Sequence, residues 1–346
     1  PTFSPDASKV AYGLNNNLYI KDLASGATTQ LTNDGETNKI INGITDWVYE
    51  EEFSFVRAFD WNADGTKIAF IRFDETNVPE FSMDVFGSEL YPSKDTFKYP
   101  KAGENNASVG LHIYDLATAE TKAVDLSGFQ NYYIPRLEWT PDANVLAVQT
   151  TSRKQNDINL IFVDGASGKA KLILSDKDDA YVDVTDNLTF LDDNDFLWTS
   201  EKDGWNHIYH YDKNGKLKTQ VTKGNWEVTS YYGCDAKSKP VFYQSSENGS
   251  INRGVYSVKI NGKDKKALST KAGTNSADFS TNFTYYINSF SDASTPYVFT
   301  LHNANDGKLI RKIKDNQELK DQFSDYVISE KEFFTLPING EELNAY

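Results

Sequence analysis

Cysteine and methionine are almost absent, with one of each in 346 residues. The lone Cys234 excludes an internal disulfide, and a secreted animal ectodomain of this size usually carries several. The expectation is therefore a bacterial protein that is periplasmic, secreted or held at the cell surface. No apolar run approaches the roughly 20 residues of a membrane-spanning helix. Basic residues are scarce against acidic ones, 35 against 50, leaving a net charge of −15. Binding to a phosphate backbone needs the opposite balance, which excludes nucleic acid as a partner. There is no secretory leader; the chain opens on Pro1 inside a strand-like repeat and reads as a mature or trimmed segment.

Aromatic residues are plentiful instead: 20 Tyr, 21 Phe and 6 Trp. That bias suits strands rather than helical bundles. A short strand followed by a turn rich in Asp, Asn and Gly recurs at 18–26, 111–118, 160–165, 208–215, 255–262 and 298–307. Apart from one gap of about 93 residues, the copies lie roughly 42 to 49 residues apart, the period of a four-stranded propeller blade. A second element, Phe3-Ser4-Pro5-Asp6, Trp61-Asn62-Ala63-Asp64-Gly65 and Trp139-Thr140-Pro141-Asp142, leads into the apolar runs beginning at Val10, Ile68 and Leu146. The fold predicted is an all-β propeller of four-stranded blades, its aromatics filling the space between neighbouring sheets.

The long gap contains Asn42-Gly43-Ile44-Thr45-Asp46-Trp47-Val48-Tyr49-Glu50-Glu51-Glu52-Phe53, three adjacent carboxylates with no lysine or arginine among residues 40 to 56. Thr45 or Asp46 can cap a short helix whose first turn favours Glu. An insertion that interrupts a blade must project from the sheet, where it can meet a ligand. Residues 42 to 56 are expected to form such a projection, with the helix carrying the acidic run. The segment 74 to 106 is expected to be a further loop-rich excursion.

This stretch closely resembles the substrate-amine loop of the dipeptidyl peptidase IV family. The likeness extends through Trp61–Phe70, Asp74-Glu75-Thr76-Asn77-Val78-Pro79-Glu80 and Tyr99-Pro100-Lys101-Ala102-Gly103, in the family's order. It implies that Glu51 and Glu52 bind the free α-ammonium of a peptide, with Trp47, Tyr49, Phe53 and Ser54 in supporting roles. Glu50 is expected to point elsewhere and cap the helix. The resemblance implies eight blades, of which about six are present, over residues 1–330. Residues 331–346 look like the linker and first strand of an α/β-hydrolase domain. The family's substrate has a free N-terminus and a penultimate proline, and its members commonly form homodimers. The family's earlier-blade arginine would fall before Pro1, and neither Arg57 nor Arg72 matches its motif. Its later-blade phenylalanine falls near Tyr181-Val182-Asp183, which does not preserve it.

The family's nucleophile sits in a Gly-x-Ser-x-Gly elbow. None occurs here, and Gly165-Ala166-Ser167-Gly168 is the nearest approach. No catalytic residue is therefore expected in this segment, which would select the substrate of a serine exopeptidase and not itself hydrolyse it. No cofactor is expected. No metal site is expected either: Asp192-Asp193-Asn194-Asp195 lacks the glycine and distal glutamate of a calcium loop, and His207 and His210 fall on opposite faces of a strand. The alternative is a non-catalytic propeller that binds proteins or peptides, since the fold serves both purposes.

Overall fold

A computed structural model describes residues 1–129, 132–235 and 240–346. The chain divides into two compact units, Pro1–Asp186 and Asn187–Tyr346. Among the described residues each holds three larger antiparallel sheets and one two-stranded hairpin.

In the first unit, sheet one runs Thr2–Phe3, Lys9–Leu14, Asn17–Asp22 and Thr28–Gln30 in chain order. Its central hairpin turns on Asn15 and Asn16, both with positive φ (48° and 61°). That is the backbone a two-residue hairpin loop requires and asparagine tolerates. Sheet three runs Tyr133–Trp139, Val145–Thr151, Asp157–Asp164 and Ala170–Lys177. Between them, sheet two orders Glu120–Ala123, Ser108–Asp115 and Lys67–Asp74, and its next strand is split into Ile40–Asn42 and Phe59–Trp61, both paired with Lys67–Asp74.

The split strand explains how the acidic insertion leaves the sheet. Gly43 N–H donates to the Ile71 carbonyl (3.0 Å), Ile71 N–H donates to the Ala58 carbonyl (2.9 Å), and Ala58 N–H donates to the Gly43 carbonyl (3.1 Å). The ladder thus crosses the gap while the chain between leaves through a neck two residues wide. Gly43 sits at φ 71°, and a Cβ there would lie 3.0 Å from Leu18; backbone conformation and close approach both favour glycine. Ile44 pairs with Arg57 beyond the neck.

Aromatic and branched residues fill the spaces between sheets. Ala11, Leu18 and Ile20 of sheet one pack with Phe59, Trp61, Ile68, Phe70 and Tyr114 of sheet two. A larger cluster joins Ile71, Phe73 and Leu111 to Leu137, Trp139, Leu146 and Val148 of sheet three. The tryptophans of the repeated motif bridge sheets through their one donor: Trp61 Nε1 to the Thr2 carbonyl (3.2 Å) and Trp139 Nε1 to the Asp60 carbonyl (3.1 Å). The excursion after Asp74 carries a two-stranded hairpin, Glu80–Val85 with Ser93–Lys98, which leaves Phe86, Leu90 and Tyr91 exposed.

The second unit repeats the scheme with Thr189–Phe190, Phe196–Ser200, His207–Tyr211 and Leu217–Gln220; then Val228–Cys234, Pro240–Ser245, Gly254–Lys259 and Lys266–Ala267; then Thr274–Phe279, Tyr285–Ser291, Val298–Asn303 and Leu309–Lys314. An exposed hairpin, Phe334–Ile338 with Glu341–Ala345, follows. The six repeated strand–turn segments all fall on the third strand of their sheets, and the chain is of the all-β, four-stranded-blade class expected. Residues 192–194 form a turn. His207 bonds Thr222 and Gly224, whereas His210 bonds Asp195.

Candidate functional site

The insertion folds into one short helix, α1, Trp47–Phe53. Its N-cap is Asp46, whose Oδ1 accepts from Tyr49 N–H at 3.1 Å. This corrects the expectation that Glu50 caps: an N-cap must precede the helix, and Glu50 is the fourth helical residue. At the other end Ser54 adopts the left-handed conformation (φ 49°), and the Ser54 and Phe55 N–H groups both donate to the Tyr49 carbonyl. Seven residues gain little from helix propagation alone, so the element depends on its caps and on what it buries.

It buries Val48, Tyr49 and Phe53. Tyr49 is the anchor. Its ring meets Phe53, Phe73 and Tyr133 edge-on at centroid distances of 5.2, 4.9 and 6.0 Å. Its hydroxyl oxygen accepts from Ile134 N–H of sheet three at 2.9 Å. Trp47, half-buried, packs on Tyr99 at 4.2 Å. Phe53 lies in the core against Tyr133, whereas Ser54 is exposed and lines a cavity.

The outward face carries Glu50, Glu51 and Glu52, all exposed. Among the described residues none forms an ion pair with Lys, Arg or His. The nearby arginines are engaged elsewhere: Arg57 with Thr2 and Asp60, Arg72 with Asp34, Arg136 with Asp186, and Arg153 with Tyr132 and the Glu104 carbonyl. The helix therefore presents negative charge without compensation. Tyr181 stands close enough to Glu52 for its hydroxyl pKa to be raised, chiefly by burial, with Asp183 and Glu52 adding to the effect. That hydroxyl donates to Gln155 Oε1 (3.0 Å), and Val182 N–H donates to the Gln155 carbonyl (2.8 Å), which straps this loop down. The sequence alone did not single out Gln155, Arg136, Arg153 or Tyr133. Their only signal is three-dimensional, because they lie about 80 to 100 residues from the helix.

Buried carboxylates underlie the helix. Burial pushes Asp46 up to about 6, against the effect of its bond from Tyr49 N–H. Glu75 rises to about 7, through burial and then the charge of Asp46, while Lys98 opposes. The folded state therefore holds the Asp46 proton more tightly than the unfolded chain. This contribution to stability is complete below the unfolded value near 4 and is lost as pH rises through about 6. Asp46→Asn keeps the cap acceptor and removes the buried charge. In denaturation of the full-length protein it is expected to match the parent at pH 4 and exceed it by up to about 3 kcal/mol at pH 8, since the rise to about 6 spans about two pH units at roughly 1.4 kcal/mol each. Asp46→Ala should lose about 1 kcal/mol at pH 4. A destabilised Asp46→Asn at pH 8 would show that the ionised cap outweighs its desolvation.

A family model described as "Dipeptidyl peptidase IV (DPP IV) N-terminal region" matches residues 1–297. Dipeptidyl peptidase 4 of Porphyromonas gingivalis, known from a crystal structure, superimposes with a TM-score of 0.94 at 43% identity, over 99% of this chain and 49% of that one. Among curated proteins, the "Probable dipeptidyl peptidase 4" of Aspergillus flavus is 32% identical over 364 residues, which cover 99% of this chain and 47% of that protein. Dipeptidyl peptidase 4 of Arthroderma otae is 30% identical over 360 residues, 99% of this chain and 46% of that protein. The chain spans about half the length of the relatives it matches.

Proposed function

We propose, from the premise that this chain belongs to the dipeptidyl peptidase IV N-terminal region family, that it is the substrate-selecting part of a serine exopeptidase releasing N-terminal Xaa-Pro dipeptides. Glu51 and Glu52 hold the α-ammonium of the substrate. The observation that carries this reading is the uncompensated acidic face of α1, kept in place by a helix capped at both ends and anchored through Tyr49.

An ammonium about 4 Å from a carboxylate gains roughly 4 kcal/mol at an effective dielectric near 20, and desolvation offsets part of this. Two carboxylates satisfy two of the cation's three donors. With the amine fixed, only one peptide bond lies at the distance of the nucleophile, so the acidic pair acts as a ruler for dipeptide release. The attacking serine belongs to an α/β-hydrolase domain of a longer protein, for which the twofold greater length of the relatives leaves room.

The test compares an Xaa-Pro chromogenic substrate bearing a free amine with its N-acetyl form, using the full-length protein. Acetylation removes the charge and leaves two carboxylates facing no cation, so the free-amine form should be preferred by a factor of about 10³ or more. Equal cleavage of the two would remove the ammonium clamp, and cleavage of neither would remove the peptidase reading.

A further inference from the structure

A second acceptor-rich place lies beside the exit of α1, in the same unit. Sheet three pairs Arg136 with Gln149 and Glu138 with Ala147. Because strand side chains alternate, Arg136, Glu138 and Gln149 share one face. Together with Ser54–Arg57 and Asp186 they enclose a cavity of about 360 Å³.

Charge within it is nearly balanced. Arg136 is taken up by Asp186 through Nε and Nη2, its Nη1 donates to the Pro135 carbonyl (2.7 Å), and its guanidinium lies over Phe55. Arg57 lies 3.9 Å from Asp60. The charge left over is Glu138, which among the described residues accepts no hydrogen bond and meets no cation. Burial, then the charges of Asp60 and Asp186, push its carboxyl up to about 7. Gln149 is 2% exposed. Its Nε2 donates to the Thr185 carbonyl at 3.2 Å, which fixes the amide orientation and leaves Oε1 buried without a partner. A carboxylate without a cation partner is the one unmet charge lining the cavity among the described residues, so a cationic donor is what the cavity lacks.

We propose that this cavity binds a compact organic monocation, a primary ammonium or a guanidinium, at the Glu138 carboxylate. One net negative charge matches one positive charge, and a carboxylate that meets no cation matches a group with several N–H donors. A divalent metal ion fits poorly, since among the described residues no three His, Cys, Asp or Glu side chains converge. The site is independent of the reading of Glu51 and Glu52. The cation could be the side chain of a basic residue in a peptide or a free small amine, and the chemistry is the same.

The probe is methylguanidinium, titrated by NMR into the full-length protein at constant ionic strength and pH 8, in a Glu51→Gln/Glu52→Gln background so that the helix does not compete. Saturable binding is expected. It should weaken at least tenfold in Glu138→Gln and by a similar factor at pH 5.5, where Glu138 is protonated, and be unchanged in the exposed control Asp179→Asn. The pH arm decides the matter should Glu138→Gln fold poorly. Tighter binding of Nα-acetylarginine amide than of methylguanidinium assigns the site to peptide side chains; equal binding assigns it to free amines. Absence of saturable binding at pH 8, meaning that solvent alone fills the cavity, overturns the proposal. So does binding indifferent to both Glu138→Gln and pH.

Discussion

Replacing Glu51 and Glu52 together by glutamine in the full-length protein is expected to lower kcat/KM for free-amine Xaa-Pro substrates by about 10²- to 10³-fold. Each carboxylate contributes roughly 4 kcal/mol of gross attraction at 4 Å. Loss of hydration and retention of one amide acceptor per glutamine reduce the net loss to about 3 to 4 kcal/mol, and every 1.4 kcal/mol is tenfold. The loss should fall mainly on KM, because the amine is as cationic in the ground state as in the transition state. Both side chains are exposed, so denaturation midpoints should barely move, within the range usual for surface substitutions. Glu50→Gln provides the internal control. It removes one carboxylate from the same short helix, and its effect on KM should be far smaller than half of the pair's on a free-energy scale. Added salt should raise the parent's KM and leave the double variant's nearly unchanged. A Glu50→Gln effect as large as half that of the pair, on the same scale, would show that net charge alone, not a clamp, attracts the substrate.

Much of this arrangement was legible in the sequence, for identifiable reasons. The strand–turn repeats are local patterns, and each marks the third strand of a sheet. The acidic run and its Asp46 cap are local too. Phe53 was also within reach of pattern reasoning: it stands four residues after Tyr49, so both fall on one helix face, and the structure buries both. Where the sequence is silent, the information is long-range. Nothing adjacent to Gly43 announces that Ala58 closes the neck beneath the helix. Nothing near Tyr49 indicates that its hydroxyl reaches Ile134. Perturbed carboxylates are equally hidden, since Asp46, Glu75 and Glu138 look like any surface acids until burial is known. Gln149 reads as an ordinary strand residue until its amide is found fixed by Thr185 with one oxygen unpaired.

Tyr49 should prove the most sensitive single position in the site, although it faces away from any ligand. It is 1% exposed and serves the helix in three ways. Its N–H satisfies the Asp46 cap, its carbonyl receives the two N–H groups that end the helix, and its hydroxyl takes up Ile134 N–H. Tyr49→Phe keeps the ring contacts and leaves Ile134 N–H buried without an acceptor, an expected cost of about 1 to 3 kcal/mol. Tyr49→Ala also opens a cavity among Phe53, Phe73 and Tyr133 and should cost about 3 to 5 kcal/mol. Because loss of the anchor frees α1 before it unfolds the sheets, hydrogen exchange is the sharper measurement. In Tyr49→Phe, exchange at Ile134 and across Trp47–Phe53 should quicken by about tenfold or more while the strand Val145–Thr151 stays protected. KM for free-amine substrates should rise in step with that local opening, and kcat should change less. Unaltered exchange at Ile134 in Tyr49→Phe would show that the hydroxyl does not hold the helix to sheet three, leaving ring packing alone to orient the two glutamates.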